Sequence, residues 1–311
     1  MTYEGKRYAL PEAVAWKFEY ACGVPCDSFY IQLPWIAGEE SAYRKAMRFY
    51  AWEGETAVFA GVVDEAEWTL DSRGSGVTLS GRGMAALLLD NEAKAADYAV
   101  ATLGDILKDH VLPYGITVGE AAAVPACHGF KVATGSSEWQ VLYEFVRYHG
   151  GLPPRFDRQG RLLLTSLPQD GEKILDDSVP LLRLVGREKR YGVLSSVLVR
   201  DKKRQREEEV VNARFVEEKG QARRVLTMNA APGDRAMRYS GQFQLDKSAA
   251  ERRRLELEVP ALFFAWPGDL IRVQRTGCGE NGLWRVLESS VKENAEGGST
   301  TLVLGEPDAV I

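Results

Sequence analysis

The chain has little of what marks a secreted, membrane-spanning or metal-dependent protein. It holds four cysteines and three histidines in 311 residues. Cys22, Cys26, Cys127 and Cys278 are too few and too scattered for a disulfide framework, so free thiols in a reducing compartment are expected. Cys22 and Cys26 flank a Gly23-Val24-Pro25 turn, and Cys127-His128 lies far along the chain. One weak knuckle without a second does not make a structural zinc site, and no metal or cofactor is expected. No apolar run approaches the roughly 20 residues a membrane-spanning helix needs. Residues Met1 to Tyr8 lack the apolar core of a signal peptide, so synthesis in a cytoplasm is expected. Charge of one sign is missing too. The 39 basic and 44 acidic side chains are mixed along the chain, for a net charge of −5. That balance argues against a sequence-specific duplex-DNA binder, which would carry a basic domain or stripe.

Catalytic signatures are equally scarce. There is no Gly-x-Ser-x-Gly elbow and no Cys-His pairing at a recognised spacing. Gly74-Ser75-Gly76 and Gly81-Arg82-Gly83 stop short of a phosphate cradle, and tight turns between strands are the plainer reading. His110 falls on the apolar face of a predicted helix, as a satisfied core histidine would. His149 sits at a helix C-terminus, where an imidazolium caps well. His128, in a glycine-bearing loop, is the histidine left open for function. Nothing singles out a carboxylate pair, although Glu138 and Asp157 are the acids a hydrolase would draw on beside the middle loops.

What the chain does have is alternation. Its 45% apolar content suits a globular protein, and its length allows two or three domains of about 100–200 residues. Val14, Trp16, Phe18 and Tyr20 alternate with Lys17 and Glu19, and Ser28 to Leu33 forms a second strand stopped by Pro34. Arg48–Glu53, Ala57–Val63 and Ala66–Leu70 continue the pattern. The period then changes. Leu103, Ile106, Leu107, His110 and Val111 recur at helical spacing behind a Thr102 cap with Asp105 three residues on. Trp139, Leu142, Tyr143 and Val146 do the same behind Ser136-Ser137, up to Gly150-Gly151. Strands return near residue 180. The charge run from Asp201 to Glu209 reads as a solvated loop or exposed ribbon, because its charges nearly cancel. Pro267-Gly268 is a type II turn signal, Asn281-Gly282 a hairpin signal, and Gly297-Gly298 a further turn. The expected fold is a β-dominated α+β protein. Two similar small β-barrel domains (1–99 with a trailing helix, and 169–311) flank a small α+β domain (100–168).

One phrase is written twice. Val62-Val63-Asp64, Gly74-Ser75 and Gly81 reappear as Val286-Leu287-Glu288, Gly298-Ser299 and Gly305, each 224 residues on. Hairpins converge on Gly-Ser turns without common descent, but a duplication would explain the constant spacing. It predicts that 57–81 and 281–305 are equivalent units, with Gly74 and Gly298 in the same turn and Gly81 and Gly305 at the same strand end.

Ala60 to Glu65 followed by Val77 to Glu92 resembles the first domain of the tail baseplate hub proteins of contractile phages. These comprise the late control protein D, Mu-type and T-even-type hubs, including those of prophages and phage-tail-like particles. Ala101 to Ile116 and Gly135 to Leu142 resemble that family's middle domain, and Trp266 to Val273, Gly282 to Val286 and Thr300 to Leu304 its closing barrel. The resemblance implies a homotrimer in which each chain supplies two similar barrels. Three chains would then make a pseudo-sixfold ring between a sixfold tail tube and a threefold central spike. It implies as partners the spike, the tube or a tube-initiator protein, tape-measure and LysM-type tail proteins, and the baseplate wedge. Assembly would take place in the bacterial cytoplasm, ending in the virion tail. It carries no catalytic residues, and the 201–209 stretch departs from its pattern. Two readings of other classes stand beside it: a tail-associated peptidoglycan hydrolase, and a barrel module binding carbohydrate or single strands through exposed aromatics.

Overall fold

The computed structural model describes all residues except 4–5, 22–25, 73, 170–171, 203–204, 229–233, 251 and 310–311. In the first part, strands β1 (Thr2–Tyr3), β2 (Lys6–Arg7), β3 (Ala15–Ala21) and β4 (Ser28–Pro34) precede a short helix α1 (Glu40–Arg44). Strands β5 (Arg48–Glu53), β6 (Thr56–Asp71) and β7 (Gly74–Gly83) follow. Alternation decides which face is buried. In β4, Phe29, Ile31 and Leu33 point inward while Tyr30, Gln32 and Pro34 face out, and the strand ends at Pro34 as predicted. The two strands expected over 57–70 are one. β6 runs unbroken, with its ladder to β7 shifting register between Val63 and Glu65, a β-bulge at Asp64. Phe18, Phe29, Phe49 and Phe59 stack within this core.

A middle core follows, built from α2 (Ala86–Leu89), β8 (Ala96–Ala101), α3 (Leu103–His110), β9 (Val118–Ala121), β10 (Cys127–Val132) and α4 (Glu138–Tyr143), with the short strands β11 (Arg155–Phe156) and β12 (Leu162–Leu164). Thr102 and Asp105 form the predicted capping box, each accepting from the other's backbone N–H. Ser137 caps α4, which continues as a π-helical stretch over Glu144–His149 rather than as one regular helix to Gly150.

The last part holds β13 (Lys173–Asp176), β14 (Arg183–Glu188), β15 (Ser196–Asp201), β16 (Arg206–Val211), α5 (Ala213–Glu217), β17 (Arg223–Met228) and the long helix α6 (Asp234–Ala250). Strands β18 (Arg253–Val259), β19 (Leu270–Gln274), β20 (Gly282–Asn294) and β21 (Gly297–Gly305) complete it. The charge run 201–209 spans the tip of the β15–β16 hairpin, where Arg200 meets Glu207 at 2.7 Å and Arg238 of α6 meets Glu208 at 3.0 Å. Asp201 is buried, but Lys202, Arg206, Glu207 and Glu209 are exposed, in the manner of the expected ribbon. The hairpin belongs to a small sheet ordered β16-β15-β17 that packs on α6 around Val197, Val199, Met237 and Leu245.

The remaining strands share one sheet of thirteen. Its first half is ordered β3-β4-β7-β6-β5-β1 and its second β14-β18-β21-β20-β19-β13. Apart from the two-residue β2, which pairs with β1 at the outer end of the first half, each half has six strands and, numbered in chain order, they lie in the same spatial order. Corresponding pairs are antiparallel in both halves except at the outer end, where β1–β5 is antiparallel and β13–β19 parallel. The ends of the sheet do not meet among the described residues, so neither of the two expected small barrels is closed. The reason is the use made of β3. Its outer edge, which would have to close the first half, pairs instead with β20, Trp16 opposite Glu293 through Ala21 opposite Glu288.

The fold is therefore a β-dominated α+β protein, strand accounting for 47% of it and helix for 18%.

Candidate functional site

The titratable groups that chemistry would recruit are tied into structure. His110 Nδ1 lies 2.5 Å from Glu138 Oε2, and its Nε2 lies 3.0 Å from the Tyr98 hydroxyl. Tyr114 donates to the other Glu138 oxygen at 2.8 Å. His110 and Glu138 are both buried, so this knot joins α3 to α4 rather than facing a substrate. Burial, with Glu138 adding to it, pushes the Tyr114 phenol up to about 12. His149 differs from expectation. Its ring packs edge-on to Phe130 and lies 3.6 Å from Cys127 Sγ, and desolvation holds its pKa below the ordinary 6.5. Loss of hydration thus disfavours the charged ring that a helix cap would need. His128 is exposed, on strand β10 opposite Val100 rather than in a loop. Asp157 holds a turn, accepting from the backbone N–H of Gln159 and Arg161 and from the Arg161 guanidinium.

The cysteines are dispersed. Cys26, Cys127 and Cys278 are free thiols belonging to the first half, the middle core and the second half, and Cys22 lies outside the described residues. Burial pushes the Cys26 thiol up to about 12. Among the described residues no three metal-ligating side chains converge, and no helix is long and apolar enough to cross a membrane. A cleft of about 270 Å³ runs between α5, α6 and the C-terminal segment, but Arg214 there is paired with Glu306, and Arg252 with Glu218 and Glu188.

The predicted turn residues fall at different kinds of place, Gly74 at a hairpin tip, Gly81 within the β7 ladder and Gly268 between two strands that do not pair. Gly268 (φ 99°) sits in a turn closed by the Asp269 N–H on the Trp266 carbonyl, as Pro267-Gly268 predicts. The Gly268 carbonyl accepts from the buried Arg285, which also binds the carbonyls of Pro168 and Pro307 and so ties three segments together. Asn281-Gly282 does not make a two-residue hairpin. It ends a longer loop from Arg275, whose base the Asn281 side chain clamps by accepting from and donating to the Arg275 backbone.

The repeated phrase is real as geometry, but its register is displaced. β6–β7 closes with Asp71 opposite Gly74, and β20–β21 with Asn294 opposite Gly297. Gly74 (φ 127°) and Gly297 (φ 107°) both hold a conformation that glycine tolerates. The second ladder has its own bulge, between Val286 and Glu288, just as far from the tip as the first. The match is thus Gly74 with Gly297, 223 residues on, and not with Gly298. Ser75 corresponds to Gly298, and Gly81 to Leu304. Ser299 and Gly305 take the places of Gly76 and Arg82. Burial agrees: Val77 and Leu79 are buried, as are Thr300 and Leu302.

The equivalent hairpins differ in what covers them. On β20 the edge from Glu288 to Glu293 is paired with β3, and Val291 is fully buried. On β6 the pairing to β5 stops at Val62, and beyond Asp64 the outer edge has no strand partner among the described residues. There Trp68 is 48% and Leu70 84% exposed, with Arg44 stacked 4.2 Å over the Trp68 ring. The outer edge of β14 likewise has no strand partner among the described residues. Open edges bearing apolar side chains are sites of association or hazard.

Among solved structures, the architecture matches a tail protein from Neisseria meningitidis over 99% of this chain and 97% of that one, with a TM-score of 0.79 at 17% identity. It matches a tail protein of prophage MuSo2 from Shewanella oneidensis over 99% and 98%, with a TM-score of 0.78 at 16% identity. This chain has the fold of phage tail proteins. The same fold extends to a component of the type VI secretion system from E. coli, with a TM-score of 0.60 at 11% identity over 98% of this chain and 76% of the other. No protein-family model and no curated protein sequence matches the chain. The tail-protein fold agrees with the hub resemblance in the sequence. Sequence reasoning did not locate the two open edges, because which edge stays unpaired depends on strands far apart in the chain.

Proposed function

We propose that the chain is a structural hub protein of a phage or phage-tail-like baseplate. In this reading three copies close a pseudo-sixfold ring that joins a sixfold tail tube to a threefold central spike. The observation that carries it is the strand order repeated in the two halves, with the same bulge and the same tip in both hairpins. A threefold object that must offer six near-equivalent faces needs each chain to present its scaffold twice. The likeness to tail proteins supports the reading.

The working units are 1–99, 100–168 and 169–311, with β8 straddling the first boundary. The first and last units form the ring, and the middle unit braces them. The spike and the tube or its initiator are the partners, with tape-measure, LysM-type and wedge proteins beside them. The chain is made in the bacterial cytoplasm and ends in the tail. No catalysis is assigned to it, since the His110–Glu138 pair is buried and spent on hydrogen bonds.

The test is the mass of the purified chain by sedimentation, with and without spike and tube proteins. A species of three chains is expected, with a sixfold-looking ring in averaged electron micrographs. A monomer throughout overturns the reading, and clearing of a cell-wall zymogram, abolished by E138Q or D157N, would put the hydrolase reading in its place.

A further inference from the structure

The molecule contains one copy of a junction and both halves of a second. In the complete copy, β3 of the first half adds antiparallel to the tip of β20 in the second. The counterpart of β20 is β6, and through the β4–β7 and β18–β21 ladders the counterpart of β3 is β14. These two lie at separate places in the sheet, each with an outer edge that has no strand partner among the described residues. We propose that β14 of one chain pairs with the 65–70 edge of β6 in a second copy of this chain, in the register of the β3–β20 junction. The proposal rests on the ring reading and names the contact that would close the ring.

The register follows from the ladders already described. Trp16 corresponds to Leu184 and Phe18 to Gly186, while Glu293 corresponds to Leu70 and Val291 to Trp68. Carrying the pairs of the internal junction across sets Leu70 opposite Leu184, Thr69 opposite Val185, Trp68 opposite Gly186, Glu67 opposite Arg187 and Glu65 opposite Lys189. Backbone ladders alone set these pairs, and most of the side chains they bring together are complementary. Two acids meet two cations on one face. On the other, an 84%-exposed leucine meets a leucine, Ala66 meets Glu188, and the indole comes over Gly186, where the Glu280 side chain stands 3.1 Å from a Cβ position and has to turn aside. A shift by one residue would set Glu67 opposite Glu188 or Gly186 and turn Leu184 to the wrong face.

The β14 edge is basic where the β6 edge is acidic, so a β6 edge repels another β6 edge and a β14 edge another β14 edge. Head-to-tail pairing is thereby favoured over a symmetric dimer. Each added chain then alternates one internal junction with one between chains, and the two open edges are used up.

The test uses the full chain carrying Thr69→Cys with Val185→Cys. Residues opposite each other across an antiparallel ladder lie within disulfide range. Oxidation of the assembled protein should give covalent species of two and three chains, which the single-cysteine variants and the displaced pair Thr69→Cys with Arg183→Cys do not give. Separately, E67R and R187E should each weaken association on the order of tenfold or more, and the double reversal E67R/R187E should restore it. All these positions are exposed or half-buried, and an unchanged melting curve verifies the fold. A three-chain species that fails to cross-link and ignores the charge reversals overturns this interface while leaving the ring reading intact. A chain that stays single at every concentration overturns both.

Discussion

The two halves of the large sheet use six strands in one order, but they join the second strand to the third in different ways. Only six residues, 22–27, separate β3 from β4 in the chain. β14 reaches β18 only after the 189–252 segment, with its own sheet, its helices α5 and α6 and its own small core. Both connections leave the ladders beyond them undisturbed, because the chain departs and returns at neighbouring strand ends and a longer loop costs little extra closure entropy. The insert also has work to do. Phe243 of α6 packs edge-on to Tyr143, and Arg147 stacks 4.4 Å over its ring, so the insert is anchored to the middle core. The second contrast is at the hairpin tips, where the same geometry is buried in one half and open in the other. Equivalent backbones have thus been given different neighbours within one strand order.

The sharpest test of that equivalence is in the two cores. Leu79 and Leu302 are matched positions, and both are fully buried. Each replaced by alanine should cost about 2–5 kcal/mol, read by denaturant unfolding with tryptophan fluorescence and circular dichroism. Because the halves share one sheet through β3 and β20, both variants should lower a single transition. Two separate transitions, each moved by only one variant, would mean that the halves are independent units.

A smaller effect should break the symmetry. Gly81 corresponds to Leu304, yet a Cβ at Gly81 would stand 2.0 Å from the Val62 carbonyl oxygen. G81A should therefore cost about 1–3 kcal/mol, whereas L304I, a volume-conserving change, should cost less than about 1.5 kcal/mol. If G81A unfolds at the wild-type denaturant midpoint, the bulges of the two halves are closer in geometry than the ladders indicate.

The smallest effect separates both halves from the middle core. Burial holds the folded His149 imidazole below its ordinary pKa of 6.5. Above that pH the ring is neutral in the folded and unfolded chain alike, so no stability changes hands. Below it the unfolded chain takes up the proton first, and stability falls as the pH drops. The slope should stay well under the ~1.4 kcal/mol per pH unit of one fully shifted proton, since the ring is only partly buried. H149Q should flatten the part of the profile between pH 6.5 and 5, measured by thermal unfolding, and an unchanged profile would locate the acid sensitivity elsewhere.

Much of the local structure was legible in the chain. Alternation placed Phe29, Ile31 and Leu33 on one face, Pro34 ended its strand, and Thr102 with Asp105 opened a helix as their spacing predicts. The turn at Pro267-Gly268 was legible because proline and glycine each restrict one dihedral. Asn281-Gly282 misled for a physical reason: Asn281 bonds a backbone six residues back, a use of the side chain that a dipeptide rule does not contain. The repeated phrase was found by matching letters, which aligned Gly74-Ser75 with Gly298-Ser299. The ladders align Gly74 with Gly297, because the bulge and the tip set the register whatever the letters are.

By itself, then, the sequence determined the strands, their buried faces, the helix caps and the existence of a repeat, all of which depend on residues close together in the chain. Only the tertiary structure decided that β3 would pair with β20 instead of closing a barrel, that burial would lower the His149 pKa, and that the edges of β6 and β14 would have no strand partner among the described residues. Those outcomes join residues hundreds of positions apart. They turn on which edge, ring or charge loses its water to which neighbour, and no local pattern of residue types records that choice.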